Sequence, residues 1–311
     1  MKLFRGFALA AAVLAFALVV LGSWVRINGA GLTCPDWPLC RGALVPALHG
    51  GVVLEWSHRL VAFLEAWVVL GAIVTGLRVR NRIAGVTPAL AALAGIFAIQ
   101  VSLGGITVFL ANSPLSVMLH WAMAMALLAN LTALAVLAYA APERTGARGA
   151  SSLADGAAPV LALAAGFAFV TMCVGSYVSS SFAGLACPTL PACDGTLFGT
   201  GAAQFAQMLH RLAALAFSLV AVLAAYAAWR GSSRRVIAFA LAGLALVGIQ
   251  IGLGFANVIW QLPLALREAH AANAGATFLA FVVAAVLAAL DPYRAAARNL
   301  ERLPARGIAN A

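Results

Sequence analysis

Eight separate stretches of this chain are apolar over about the length that a membrane-crossing helix requires. They lie near 6–26, 53–77, 87–110, 117–140, 158–178, 204–229, 236–256 and 269–290. A helix rising 1.5 Å per residue needs roughly 20 residues to cross the roughly 30 Å hydrocarbon layer. Alanine and leucine dominate the stretches, and apolar and polar residues do not alternate, which argues for helices over a transmembrane barrel. With 64% hydrophobic and 9% charged residues among 311, too few polar side chains remain to coat a soluble domain. The expected fold is an all-α integral membrane protein with eight transmembrane helices.

The net charge of +10 reports orientation. Lys2, Arg5, Arg78, Arg80, Arg82, Arg144, Arg148, Arg230, Arg234, Arg235, Arg294, Arg298, Arg302 and Arg306 all fall on one side of these crossings. Arg26, Arg41, Arg59, Arg211 and Arg267 fall on or near the other. The positive-inside rule puts the first group, and both termini, in the cytoplasm. The basic balance is thereby accounted for without nucleic acid.

The chain also repeats itself. GSWVRINGAGLTCPDWPLC from Gly22 returns as GSYVSSSFAGLACPTLPAC from Gly175, displaced by 153 residues. EWSHRL from Glu55 returns as QMLHRL from Gln207, displaced by 152, and IQVSLGG around Gln100 as IQIGLGF around Gln250, displaced by 150. The last offset carries His120 onto His270. Four crossings return a chain to its starting side, so a parallel pair of four-helix repeats is expected. Residues 1–141 form one bundle, 142–157 a cytoplasmic linker, and 158–311 a second bundle with a basic tail. The first stretch resembles a secretory signal, but its partner in the fifth marks it as a retained helix.

Four of the five histidines are paired by the repeat: His58 with His210, and His120 with His270. All four fall near the noncytoplasmic ends of their helices, where ionisable residues are costly and point to function. Imidazoles from two helices can close on a haem iron from opposite faces. His58 with His120 would hold one haem, and His210 with His270 a second. Hydrogen bonds between helices, or a copper or zinc site, are the competing readings. His49 has no counterpart and reads as a loop residue.

Arg59 and Arg211 each follow a histidine, where a guanidinium can bind a haem propionate or simply snorkel to the surface. Trp24, Trp56, Trp121 and Trp260 suit the interface. Cys34 with Cys40 and Cys187 with Cys193 lie in the two large outer loops. Local disulfides are the favoured reading, and redox-active thiol pairs the alternative. Cys173 reads as helix packing. Gln100 and Gln250 are expected inside their bundles.

Differences between the halves carry information. Glu55 shares a helix face with His58, whereas the matching Gln207 lacks its charge. The first half is therefore expected to hold the reactive site. Glu55 would orient substrate, stabilise positive charge or relay protons there, or else bond a neighbouring helix. Glu65, two turns deeper, extends a proton path or pairs within the bundle.

Together, GSWVRINGAGLTCPDWPLC, EWSHR, IQVSLGGITV, His120 beside Trp121, and the echoes at His210 and His270 resemble the haem A synthase family. The resemblance covers about residues 10–290. It implies an oxidoreductase of the bacterial inner membrane that serves cytochrome oxidase assembly, oxidising the C8 methyl of haem O to a formyl group by successive steps. It further implies that His58 and His120 frame the substrate haem, that Glu55 is catalytic, and that His210 and His270 ligate haem b. An outer-loop disulfide at Cys34–Cys40 is implied as well. Partners would be membrane lipid, a haem O synthase as supplier, an electron acceptor or donor such as a quinone-linked one, and a second copy in a homo-oligomer. A dihaem quinol-linked electron-transfer protein and, behind it, a haem transporter are the alternatives.

Overall fold

Hydrocarbon offers no water to a backbone amide, so each crossing must satisfy its own N–H and C=O groups within a helix. The computed structural model describes residues 1–141 and 156–302, with side chains through residue 291. Among the described residues there is no strand, and eight long helices carry the fold. They are α1 (Lys2–Ile27), α2 (Gly51–Val79), α3 (Val86–Phe109), α4 (Pro114–Ala140), α5 (Ala158–Ser180), α6 (Ala202–Gly231), α7 (Arg234–Ile259) and α8 (Leu264–Arg302). All eight are long and apolar enough to cross a bilayer. The all-α, eight-span expectation therefore holds.

Most helices overrun the apolar stretches by a few residues, and α8 does so by twelve. Apolarity reports only the part of a helix that lies in lipid, whereas the hydrogen-bond ladder continues into polar ends. Nearly all of the 142–157 linker, with Arg144 and Arg148, lies outside the described residues. So do Arg306 and the side chains of Arg294, Arg298 and Arg302.

Two long connections, 28–50 and 181–201, lie on one side with the tight turns 110–113 and 260–263. Each tight turn holds two successive left-handed residues: Ala111 and Asn112 at φ 49° and 52°, then Gln261 and Leu262 at 56° and 61°. Asn112 also donates to the Gly31 carbonyl at 2.9 Å, tying a short turn to a long loop.

α1 packs on α2 and α4, and α3 on α4. On the other side α5 packs on α6 and α8, and α7 on α8. Contacts of α4 with α5 and α8, and of α1 with α8, join these groups. The shared core runs through Phe4, Ala8, Ala11 and Ala15 of α1, Leu128, Leu131 and Leu134 of α4, and Phe281 and Ala284 of α8. Their three- and four-residue spacing lines one face of each helix. Lipid supplies no hydrophobic force between helices, so close backbone approach over alanine and glycine must stabilise the contact. At one rim, Arg5 Nε donates to the Ala138 carbonyl at 2.9 Å and ties α1 to the end of α4.

The topology makes one expectation direct. Arg80→Cys, beside the α2–α3 turn, and Ala203→Cys, at the start of α6, should react with a membrane-impermeant maleimide from opposite sides of spheroplasts. Labelling of both from one side would break the eight-span arrangement.

Candidate functional site

His58, His120, His210 and His270 lie six to eight residues inside their helices, measured from the long-loop side. At 1.5 Å per residue they share a depth of about 9–12 Å. Each imidazole rests against a glycine of a neighbouring helix. A Cβ built on Gly22 would stand 3.0 Å from His58 Cε1, and one on Gly175 only 2.8 Å from His210 Cε1. The corresponding distances are 3.3 Å from Gly104 to His120 and 3.5 Å from Gly254 to His270. Two of these glycines open the first repeated motif and the other two belong to the IQVSLGG and IQIGLGF motifs.

The rings of His210 and His270 approach edge to face, with centroids 6.5 Å apart and planes inclined by 71°. His210 Nδ1 lies 3.2 Å from the Thr171 carbonyl. Donation there leaves Nε2 with its lone pair free. The Nδ1 atoms of His58, His120 and His270 are buried without a hydrogen-bond partner. Metal–nitrogen bonds of about 2.0–2.1 Å on each side would set two imidazole centroids about 6–6.5 Å apart, so the second pair fits an iron held between them. No three His, Cys, Asp or Glu side chains converge among the described residues. That disfavours a copper or zinc cluster and suits an iron whose other ligands come from a porphyrin.

Across α7 and α8, Gln250 Nε2 donates to the His270 carbonyl at 3.0 Å, and Asn273 donates to Gln250 Oε1 at 2.6 Å. Gln100 Oε1 is buried without a partner. So are both oxygens of Glu65, a residue only 2% exposed.

Both long loops are closed by disulfides, Cys34–Cys40 and Cys187–Cys193. Buried Glu55 braces the first: Oε2 accepts from Cys34 N–H at 2.8 Å and from Thr33 Oγ1 at 2.9 Å, while Oε1 meets Arg59 at 2.7 Å. Arg59 also donates to the carbonyls of Cys34, Asp36 and Leu39 at 2.5–2.8 Å. Gln207 takes the same position in the second loop, accepting from Cys187 N–H at 3.3 Å and donating to Gly184 at 2.8 Å. Arg211 donates to the carbonyls of Cys187, Thr189 and Pro191. The architecture is matched, and the charge is not.

Asp36 accepts from the amides of Gly42 at 2.7 Å and Arg41 at 2.5 Å. The Gly42 amide, then that of Arg41 and the charge of Arg59, hold its carboxyl below its ordinary value. In the second loop Thr189 Oγ1 does similar work, accepting from Asp194 N–H at 2.9 Å. Trp37 lies over α3, its ring against Gly105, and Trp56 Nε1 donates to the Leu44 carbonyl at 2.8 Å.

The sequence profile of the family described as "Cytochrome oxidase assembly protein" matches residues 5–53 and 49–282. A protein named "Heme A synthase" from Symbiobacterium thermophilum is 30% identical over 84% of this chain and 90% of its own length. Namesakes from Bacillus licheniformis and Caulobacter sp. are 27% and 29% identical, over 87% and 85% of this chain and 91% and 89% of theirs. This chain belongs to the cytochrome oxidase assembly protein family, which includes the haem A synthases.

For this family member the structure brings His210 together with His270, and leaves His49 exposed in its loop. Arg59 and Arg211, read from sequence as propionate ligands or snorkelling residues, spend their terminal nitrogens on the loops. Glu55 likewise has both oxygens engaged. Sequence reasoning missed Thr171, Asn273, Thr33 and Asn112, which act through backbone groups that no motif announces. The four glycines stood in the repeated motifs, but their contact with the histidines was not readable there.

Gly175→Ala should force the His210 ring aside and lower thermal stability by several degrees. Gly166→Ala, on the same helix with open space around it, should leave the melting temperature within error or raise it. The depressed carboxyl of Asp36 favours the folded loop above its unfolded value of about 3.9, and this contribution is lost as pH falls through the lower folded value. Pepsin should therefore cut loop 28–50 increasingly below about pH 4, relative to loop 181–201. Asp36→Asn should abolish that trend.

Proposed function

We propose that the chain oxidises the C8 methyl of haem O to a formyl group by successive steps, yielding haem A for cytochrome oxidase. The observation that carries this is a pair of adjacent imidazoles, His210 and His270, with centroids 6.5 Å apart, together with a first half that keeps the matching histidines but adds a carboxylate. The relatives' name, "Heme A synthase", supports the same reaction. In this reading residues 1–141 form the substrate bundle and 158–311 the haem b bundle, arranged as parallel repeats. His58 and His120 frame the substrate haem, and His210 and His270 hold haem b. Both sites open toward the noncytoplasmic face, and the termini are cytoplasmic.

Haem iron supplies the redox capability when bound, and the protein's residues position and insulate it. Thr171 fixes the His210 tautomer. Gly22, Gly104 and Gly175 set how deeply the His58, His120 and His210 rings can sit. Glu55 and Arg59 hold the Cys34–Cys40 loop one helical turn from His58, so the carboxylate acts by positioning the lid of the substrate site and balancing the guanidinium. Arg211 has no carboxylate on it, so the second loop is clasped by an uncompensated positive charge where the first is neutralised by Glu55. A haem O synthase would feed the first site, from within the same membrane.

Expression with haem O available, followed by pigment analysis, tests this. Wild type should yield hydroxylated haem or haem A. Glu55→Gln should keep the loop closed, as Gln207 does, yet lower turnover at least tenfold. Normal turnover would remove Glu55 from the machinery. His210→Ala should lose one haem of two. Two retained haems with haem O unchanged by wild type would instead fit a dihaem electron-transfer protein.

A further inference from the structure

Each group of four helices leaves a crevice where it meets the other. One, of about 470 Å³, lies between α1 and α8 and is lined by Phe16, Ala17, Val20, Leu21, Trp24 and Glu268. The other, of about 640 Å³, is lined in part by Met118 of α4 and Val174 and Tyr177 of α5. The sequence repeat superimposes Leu21 on Val174, Trp24 on Tyr177, and Glu268 on Met118. The crevices correspond, and only the first holds a carboxylate.

That carboxylate has no obvious reason to be there. Both oxygens of Glu268 are buried without a hydrogen-bond partner. Arg59–Glu55 is the ion pair found among the described residues, so neither Arg267 nor the nearby Arg26 neutralises Glu268. Arg26 donates instead to Ser179 Oγ. Ser23, buried on α1, approaches Glu268 without closing a well-formed hydrogen bond. An unpaired carboxylate in an apolar membrane crevice is costly unless a ligand completes it. A hydrogen-bond donor on an otherwise apolar, flat molecule that fits beside the Trp24 indole would supply that partner. An acyl chain has no donor to offer.

We propose that the α1–α8 crevice binds the ring of a lipid-soluble quinone beside Trp24, with Glu268 accepting a hydrogen bond from the hydroxyl of its quinol form. The volume lies within the about 300–1,000 Å³ of small-molecule sites. Glu268 lies two residues before His270 on α8, so the ring would be separated from the second site by about one helix diameter, 10–12 Å. This inference rests on the oxidase reading, which needs an electron acceptor. One methyl group and one water give a formyl group, four electrons and four protons. Two quinones take up those electrons and protons and leave as two quinols.

The test is photolabelling of the whole protein in quinone-free phosphatidylglycerol–phosphatidylethanolamine nanodiscs with an azidoquinone, mapped by peptide mass spectrometry. Label is expected on α1 and α8 peptides and should be displaced by decylubiquinone. Ala17→Phe, which fills the crevice, and Glu268→Met, which installs the residue of the other crevice, should each cut labelling at least tenfold. Val174→Phe should not. Undiminished labelling in Ala17→Phe, no label on α1 or α8, or equal displacement by decylbenzene, which has no ring oxygens, would overturn the proposal. Absence of haem A formation with labelling intact would sink the oxidase reading alone.

Discussion

A histidine ring packed where a glycine lacks its methyl recurs at three places, Gly22, Gly104 and Gly175, and the arrangement of the membrane interior depends on it. A hydrogen in place of a methyl lets α1 approach α2 at Gly22, and α5 approach α6 at Gly175, until the imidazole lies against backbone. In hydrocarbon, such close approach is itself what stabilises a helix pair, because the lipid is as apolar as the side chains. The same few ångströms determine where the ring nitrogens point. Packing and ligand geometry are therefore one constraint, and a residue that loosens the first displaces the second.

Above the rings, each long loop is a small knot of disulfide, arginine and a polar side chain from the helix start. Arg59 and Arg211 each gather three loop carbonyls. Glu55 and Gln207 each accept the amide of the first cysteine. A glutamine serves this geometry adequately in the second loop, so geometry alone does not require the glutamate in the first. What Glu55 adds is a negative charge against Arg59 one turn from His58. The halves thus share a frame and differ in electrostatics.

Much of the fold was readable because bilayer thickness and helix rise tie apolar run length to a crossing. The repeated histidines and the cysteine pairs were readable because duplication marks matching positions in the two halves. Helix ends were less readable, since α8 continues as helix for twelve residues past its apolar stretch. Glu55 was legible as unusual, but its bonds to Thr33 and Cys34 depend on how 20 intervening residues fold back. Glu268 drew no notice in sequence, because its place in the crevice beside Trp24 is set by how α1 packs on α8.

From the sequence alone came eight crossings, four paired histidines, two loop cysteine pairs and the unequal Glu55 and Gln207. These follow from local composition and from comparison of the chain with itself, which need no knowledge of contacts. Only the tertiary structure decided which glycine seats which ring, that both arginines clasp loops, and that Glu268 lines an apolar crevice between α1 and α8. Those facts depend on distances between residues far apart in the chain, and helical periodicity specifies a face without naming what lies against it.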